Sequence, residues 1–190
     1  MTKESSLLEI RWHGRGGQGS VTSAELLAQA AIAEGKYAQA FPSFGPERRG
    51  APVQAFNRID SREPVRIRVD ITKPDCVVVL DPSLLGKVNV TSGLKEGGWV
   101  IINTRKTVGE IKSEFGIKYP VATVNATKIA REVLGVPIVN TTMLGAVVKM
   151  TGVIDKKSAH APLDKRFGRL GERNIKAMET AYAQVVSEEQ

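Results

Sequence analysis

The stretch Leu7-Leu8-Glu9-Ile10-Arg11-Trp12-His13-Gly14-Arg15-Gly16-Gly17-Gln18-Gly19, running into Ser20-Val21-Thr22-Ser23-Ala24-Glu25-Leu26-Leu27, decides the fold. Leu7–Trp12 is short and apolar and predicts a first strand. Four glycines within six residues then call for a tight turn, where the missing Cβ lets the backbone fold back on itself. The alanine-rich segment Val21–Glu34 predicts a helix, with Leu26, Leu27, Ala30 and Ala31 forming a narrow apolar face for close packing. Gly35 supplies the stop. Thr22 with Glu25 has the spacing of a capping box, and Ser20 is a second candidate for the N-cap.

Phe41-Pro42-Ser43-Phe44-Gly45-Pro46 reads as an irregular loop, because each proline disfavours helix at the residue before it. Pro52–Ile59 and Val65–Ile71 read as two strands of a hairpin joined around Asp60–Pro64. In the second, Val65, Ile67, Val69 and Ile71 alternate with Arg66, Arg68 and Asp70, the period-two pattern of a half-buried antiparallel strand. Cys76–Leu80, Trp99–Asn103 and Tyr119–Val124 are continuous, β-branched and bounded by turns, as buried parallel strands are. Helices are predicted over Ala126–Leu134, Thr142–Met150 and Glu172–Val186. The sum is one domain over residues 1–190 of the α/β class, a Rossmann-like open, mostly parallel sheet with an inserted antiparallel hairpin.

Composition narrows the function. The chain has 190 residues, 42% of them hydrophobic and 25% charged, enough to bury a core without disulfides or metal. A single cysteine, Cys76, excludes a disulfide framework, a cysteine-ligated cluster and a Cys-pair zinc site. Two histidines, His13 and His160, leave little for a metal site or a triad. No metal ligand and no catalytic residue is therefore assigned. No apolar run reaches the ~20 residues of a membrane span, and the charged start lacks a signal peptide's apolar core, so the expected location is the cytoplasm, with no membrane partner. The net charge of +7 suits phosphorylated ligands or acidic proteins. Nothing resembles a nucleic-acid recognition motif, so no nucleic-acid partner is expected.

Gly14-x-Gly16-x-x-Gly19 matches the dinucleotide fingerprint and sits between strand and helix, where backbone amides and the helix dipole favour an anion. The fingerprint also needs an acidic residue ~20 positions on, at the end of a second strand, and none stands there. Three readings stay open: a free-standing NAD(P)-dependent oxidoreductase, a tight turn without a ligand, or a loop facing another phosphate-bearing cofactor or a partner chain. Arg48 and Arg49 are adjacent donors able to grip phosphate bidentately, or a solvated pair. Asn140 and Thr141 open a helix, as N-cap or as ligand groups. His13 and Cys76 read as structural. Asp81 ends a buried strand, the usual address of a site residue, and Asp-Pro is also a common turn opener.

Three segments together resemble a known family. They are Glu9–Gly19; Ala40-Phe41-Pro42-Ser43-Phe44-Gly45-Pro46-Glu47-Arg48-Arg49-Gly50-Ala51-Pro52-Val53-Gln54-Ala55-Phe56; and Asn140-Thr141-Thr142-Met143-Leu144-Gly145-Ala146. They look like the gamma subunit of 2-oxoacid:ferredoxin oxidoreductases, closest in form to the pyruvate synthase branch, with ketoisovalerate and aryl-glyoxylate enzymes near. The resemblance implies an enzyme complex that decarboxylates a 2-oxoacid on thiamine diphosphate and sends electrons through iron–sulfur clusters to ferredoxin. The acyl group goes to coenzyme A. It further implies that thiamine diphosphate, magnesium and clusters belong to alpha, beta and delta-type partner subunits, this chain alone being inactive. Carried onto this sequence, Arg48, Arg49, Asn140 and Thr141 help bind coenzyme A. Gly14, Gly16, Gly17, Gln18 and Gly19 border that cavity or a partner. Residues after Gly152 match no motif and take no role.

Overall fold

A computed structural model describes residues 6–43 and 50–188. Strand β1 (Leu7–Arg15) leads through the glycine turn into helix α1 (Ser20–Ala33), followed by β2 (Tyr37–Pro42) and β3 (Pro52–Asp60). Then come β4 (Cys76–Val79), β5 (Trp99–Asn103), α2 (Val108–Phe115), β6 (Val121–Val124) and α3 (Ala126–Leu134). Helices α4 (Asn140–Thr151), α5 (His160–Phe167) and α6 (Gly171–Gln184) and a short β7 (Val186–Ser187) close the described chain. The seven strands form one sheet in the order β2-β3-β1-β4-β5-β6-β7. Its centre, β1-β4-β5-β6, is parallel, while β3 pairs antiparallel with both β1 and β2, and β7 antiparallel with β6.

Register explains the two larger of the three cores. Trp12 faces Val78, Val78 faces Ile101 and Ile101 faces Ala122 across the parallel strands. Because side chains alternate along a strand, this row lies on one face, packed with Leu27, Met143, Val147 and Met178 of the helices. Val77, Val79, Val100, Ile102 and Val121 line the opposite face with Leu84 and Ile111. Each such side chain taken fully out of water contributes roughly 1.5–3 kcal/mol. Helices α4 and α6 approach so closely that a Cβ on Gly145 would lie 1.9 Å from the Met178 carbonyl oxygen. Buried Trp12 donates its indole N–H to Asn57 Oδ1 at 2.8 Å, and Asn57 in turn donates to the Ala24 carbonyl at 2.8 Å, tying α1 to the sheet.

The inserted hairpin exists, but its strands are β2 and β3. Pairing runs from Tyr37 opposite Asp60 to Pro42 opposite Ala55, while β1 takes the other edge of β3 from Leu7 to Arg15. Both edges of β3 are filled, and Val65–Ile71 joins no strand and crosses the surface as an irregular strap. The apolar set expected to be buried there is split: Ile71 is buried, whereas Ile67 and Val69 are 61% and 59% exposed. Pro42 is compatible with β2 because it ends an edge strand, where no ladder donor is required. The N-cap of α1 is Gly19 in the left-handed region, with no side-chain capping bond, so neither Ser20 nor the Thr22/Glu25 pair caps it. Two helices went unread, α2 and α5. The first carries a complete capping box between Thr107 and Glu110.

Chain direction reverses at the centre of the sheet. From β1 the chain crosses one face by way of α1 toward β2 and β3, and from β4 it crosses the other face toward β5. The loops leaving the carboxyl ends of β1 and β4 therefore diverge. In open α/β sheets such a switch point is where ligands bind.

Candidate functional site

The glycine turn and the Asp81-Pro82-Ser83 turn meet at that switch point. Arg15, the last residue of β1, donates from Nε to Asp81 Oδ2 at 2.9 Å, from Nη2 to Ser83 Oγ at 2.8 Å and from Nη1 to the Gly50 carbonyl at 2.9 Å. Gln18 donates from Nε2 to the same Asp81 oxygen at 3.0 Å, and its Oε1 accepts from the Arg15 backbone N–H at 2.7 Å. Asp81 Oδ1 accepts from the Ser83 backbone N–H at 2.9 Å. Burial pushes the Asp81 carboxyl upward, but the Ser83 and Gln18 hydrogen bonds and the Arg15 charge outweigh it, holding its pKa below the ordinary value. One carboxylate thus clasps two turns from two strands.

Beside this clasp lies a cavity of about 250 Å³, lined by Gly17, Gln18, Asp81, Asn103, Thr127 and Ile138. Asn103, at the end of β5, donates to the Leu80 carbonyl at 2.9 Å and accepts from the Thr127 N–H at 3.1 Å, fixing the cavity floor. Pro82, Asn103 and Thr127 also border a larger cleft of about 810 Å³ between α2 and α3, which carries Arg105, Arg131 and Phe115. Asn103 and Thr127 escaped the sequence reading. The available signal was that Asn103 ends the buried run Trp99-Val100-Ile101-Ile102, the same kind of address that drew attention to Asp81.

Of the residues expected at the site, Gly17, Gln18, Gly19 and Asn140 come together. Gly19 has φ +82°, and a Cβ there would lie 2.7 Å from Asn140 Nδ2. Ser23 Oγ donates to the Asn140 carbonyl at 3.1 Å, so the starts of α1 and α4 abut. Gly16 exchanges backbone hydrogen bonds with the chain returning to β3, accepting from Gly50 N–H at 3.2 Å and donating to Ala51 at 2.9 Å. Gly14 is inside β1, opposite Val53, where a Cβ would collide with Ser20 Oγ. Thr141 is fully buried, and its hydroxyl donates to Asn174 Oδ1 at 2.8 Å. Neither Asn140 nor Thr141 is the N-cap of α4. That residue is Val139, and the Asn140 carboxamide instead accepts from the Thr141 N–H at 2.8 Å. Arg48 and Arg49 lie outside the described residues; the next residue in the chain is Gly50, bonded to Gly16 and Arg15.

His13 and Cys76 are both buried. His13 Nε2 accepts from Arg11 Nε at 3.0 Å. Burial and the neighbouring Arg11 charge push the imidazole pKa down to about 3. Burial, with Asp75 nearby, pushes the Cys76 thiol up. The folded protein therefore holds His13 neutral while the unfolded chain protonates it near the ordinary value of about 6.5. Its contribution to stability is complete above that pH and is lost as pH falls toward 3. Between about pH 6 and 4.5, above most carboxylate titrations, unfolding free energy should decline by up to about 1.4 kcal/mol per unit. A His13→Gln variant, which keeps a neutral acceptor, should flatten that slope in urea unfolding measured across pH.

This geometry defines an open α/β protein with a glycine turn, backed by a helix N-terminus, at the carboxyl ends of its parallel strands. The family model described as pyruvate ferredoxin/flavodoxin oxidoreductase matches residues 9–184. The pyruvate/ketoisovalerate oxidoreductases common subunit gamma of Thermococcus litoralis is 56% identical over 182 residues, covering 95% of this chain and 98% of that protein. Pyruvate synthase subunit PorC of Methanocaldococcus jannaschii is 51% identical over 181 residues, with coverage of 95% and 98%. The crystal structure of pyruvate oxidoreductase subunit PORC from Thermotoga maritima matches with a TM-score of 0.87 at 36% identity, covering 97% of this chain and 99% of that one. The chain belongs to the pyruvate ferredoxin/flavodoxin oxidoreductase family, as a gamma-type subunit of a multi-subunit 2-oxoacid:ferredoxin oxidoreductase. A free-standing NAD(P) enzyme is set aside by this membership and by the topology, because the strand after α1 is separated from β1 by the antiparallel β3 and carries no acidic residue. Among the described residues no helix is long and apolar enough to cross a membrane.

Proposed function

We propose that this subunit receives coenzyme A at the crevice between β1 and β4 and caps the active site of a pyruvate-oxidising enzyme. Its partners of alpha, beta and delta type hold thiamine diphosphate, magnesium and the iron–sulfur clusters, and ferredoxin takes the electrons. The single observation behind this reading is the glycine N-cap of α1, Gly19, which leaves the helix start without a side-chain cap and lies against Asn140. Uncapped first-turn amides and the helix dipole favour an anion such as a phosphate. The Asn140 carboxamide adds a polar group at the same place. Arg15 is committed to Asp81, Ser83 and Gly50, so the mobile ligand's charge falls to other cations, for which Arg48 and Arg49 are the candidates. A second reading, ketoisovalerate as an additional substrate, is favoured by the 56% identical relative named as a subunit common to both oxidoreductases.

Replacing both Arg48 and Arg49 by alanine in the assembled enzyme tests the coenzyme A role. Charge-assisted hydrogen bonds contribute about 1.5–3 kcal/mol each, so the KM for coenzyme A should rise at least about tenfold. Release of CO2 from the 2-oxoacid without coenzyme A should be unchanged. An unaltered KM would remove both residues from the site.

A further inference from the structure

The strap from Val65 to Ile71 is held in an unusual way. Its alternate carbonyls are gripped by side chains: Val65 by Gln39 Nε2 at 2.7 Å, Ile67 and Val69 by Arg58 Nη1 at 3.0 and 2.8 Å, and Ile71 by Arg11 Nη1 at 3.3 Å. Arg58 and Arg11 are both buried, and Arg58 is further fixed by Glu9 Oε1 at 2.8 Å. Arg68 stacks over the Phe41 ring at 5.9 Å, with Arg58 at 5.6 Å. Two buried guanidinium groups thus immobilise a segment whose Ile67 and Val69 side chains are more than half exposed. Beside it runs a groove of about 620 Å³ bordered by Leu7, Glu9, Asp60 and Val65. A solvent loop needs no such fixing, and a period-two run of Val and Ile is the pattern of a covered face.

We propose that this strap and groove form a docking surface for another subunit of the same oxidoreductase, one presenting an apolar patch flanked by carboxylates. Charge selects that occupant. Around the strap and groove Arg62, Arg66, Arg68 and Lys73 stand against Asp60, Glu63 and Asp70, with Glu9 already paired to Arg58, and none of these four cations lies within salt-bridge distance of a carboxylate among the described residues. A two-fold contact with a second copy of this chain would bring two patches of the same net positive charge together. An acidic partner meets no such repulsion. Rigid fixing of the strap also lowers the ordering cost of association.

The test is co-expression of an Ile67→Asp/Val69→Asp chain with its partner subunits, followed by native mass spectrometry of the assembled enzyme. Gamma incorporation should fall at least roughly tenfold, the effect of about 1.4 kcal/mol or more from carboxylates buried in an apolar contact. The isolated variant chain should melt as the wild type does, since both positions are exposed. In the wild-type complex, amide exchange over residues 65–71 should be slowed relative to the free chain. Full incorporation of the variant, or unchanged exchange on assembly, overturns the proposal. So does a wild-type isolated chain that is dimeric by light scattering and becomes monomeric with the two aspartates, which would make a second copy the occupant. Because assembly is read and not turnover, the outcome is independent of the coenzyme A reading.

Discussion

Replacing Gly19 by alanine is expected to destabilise the chain by about 2–5 kcal/mol and to impair coenzyme A use in the assembled enzyme. Two effects add. Backbone at φ +82° costs any L-residue roughly 1–2 kcal/mol relative to glycine. The new Cβ would also stand 2.7 Å from Asn140 Nδ2 and 3.0 Å from Asn140 Cβ, and such overpacking costs roughly 1–3 kcal/mol unless α4 shifts. For a chain of this length the melting temperature should fall by roughly 5–15 °C. Gly17→Ala separates the two effects. Gly17 has φ +92° but nothing within 4 Å of an added Cβ, so it incurs the strain alone. A Gly19 variant no worse than the Gly17 variant, in melting temperature and in the KM for coenzyme A, would show that the Gly19–Asn140 approach is not a constraint.

Local chemistry carried much of the fold. Glycine before an alanine-rich run, β-branched Cys76–Val79 and Trp99–Asn103, and the apolar periodicity of Ala126–Leu134 each specify an element without help from the rest of the chain, and each is found. Pairing partners were less legible, since they depend on competition among strands. Val65–Ile71 has a better strand pattern than Tyr37–Pro42, yet β2 is the one that pairs with β3, from Tyr37 to Pro42. At the site, the glycine turn and Asn140 were readable as residues with special backbone or donor chemistry. Their contact was not, because it joins positions more than a hundred residues apart. Asn103 and Thr127 carry ordinary side chains whose importance comes only from the strand ends that bring them to one cavity.

Asp81 gives the second large effect. Its carboxylate is the common acceptor of Arg15 and Gln18 and also caps the turn at Ser83, with side chains of Arg15 and Asp81 only 22% and 17% exposed. Asp81→Ala leaves a guanidinium and a carboxamide in a partly enclosed crevice without their acceptor. Breaking a fully buried pair from one side costs about 3–5 kcal/mol, and the residual exposure here brings the expectation to roughly 2–4 kcal/mol. Asp81→Asn keeps the size and one acceptor oxygen and should cost less than half as much. The sign with pH follows from the lowered carboxyl pKa. The clasp stabilises above the ordinary aspartate value of about 3.9 and weakens as pH falls through the folded value, so the wild-type advantage over Asp81→Asn should shrink in acid. Coupling supplies the sharper check. If one carboxylate holds both turns, Gln18→Ala and Asp81→Ala share that loss, and the double variant should be less destabilised than the sum of the singles by at least about 0.5 kcal/mol. Strict additivity in urea unfolding would mean that Gln18 and Asp81 act separately, and the glycine turn would then owe its position to Gly50 and Asn140 instead.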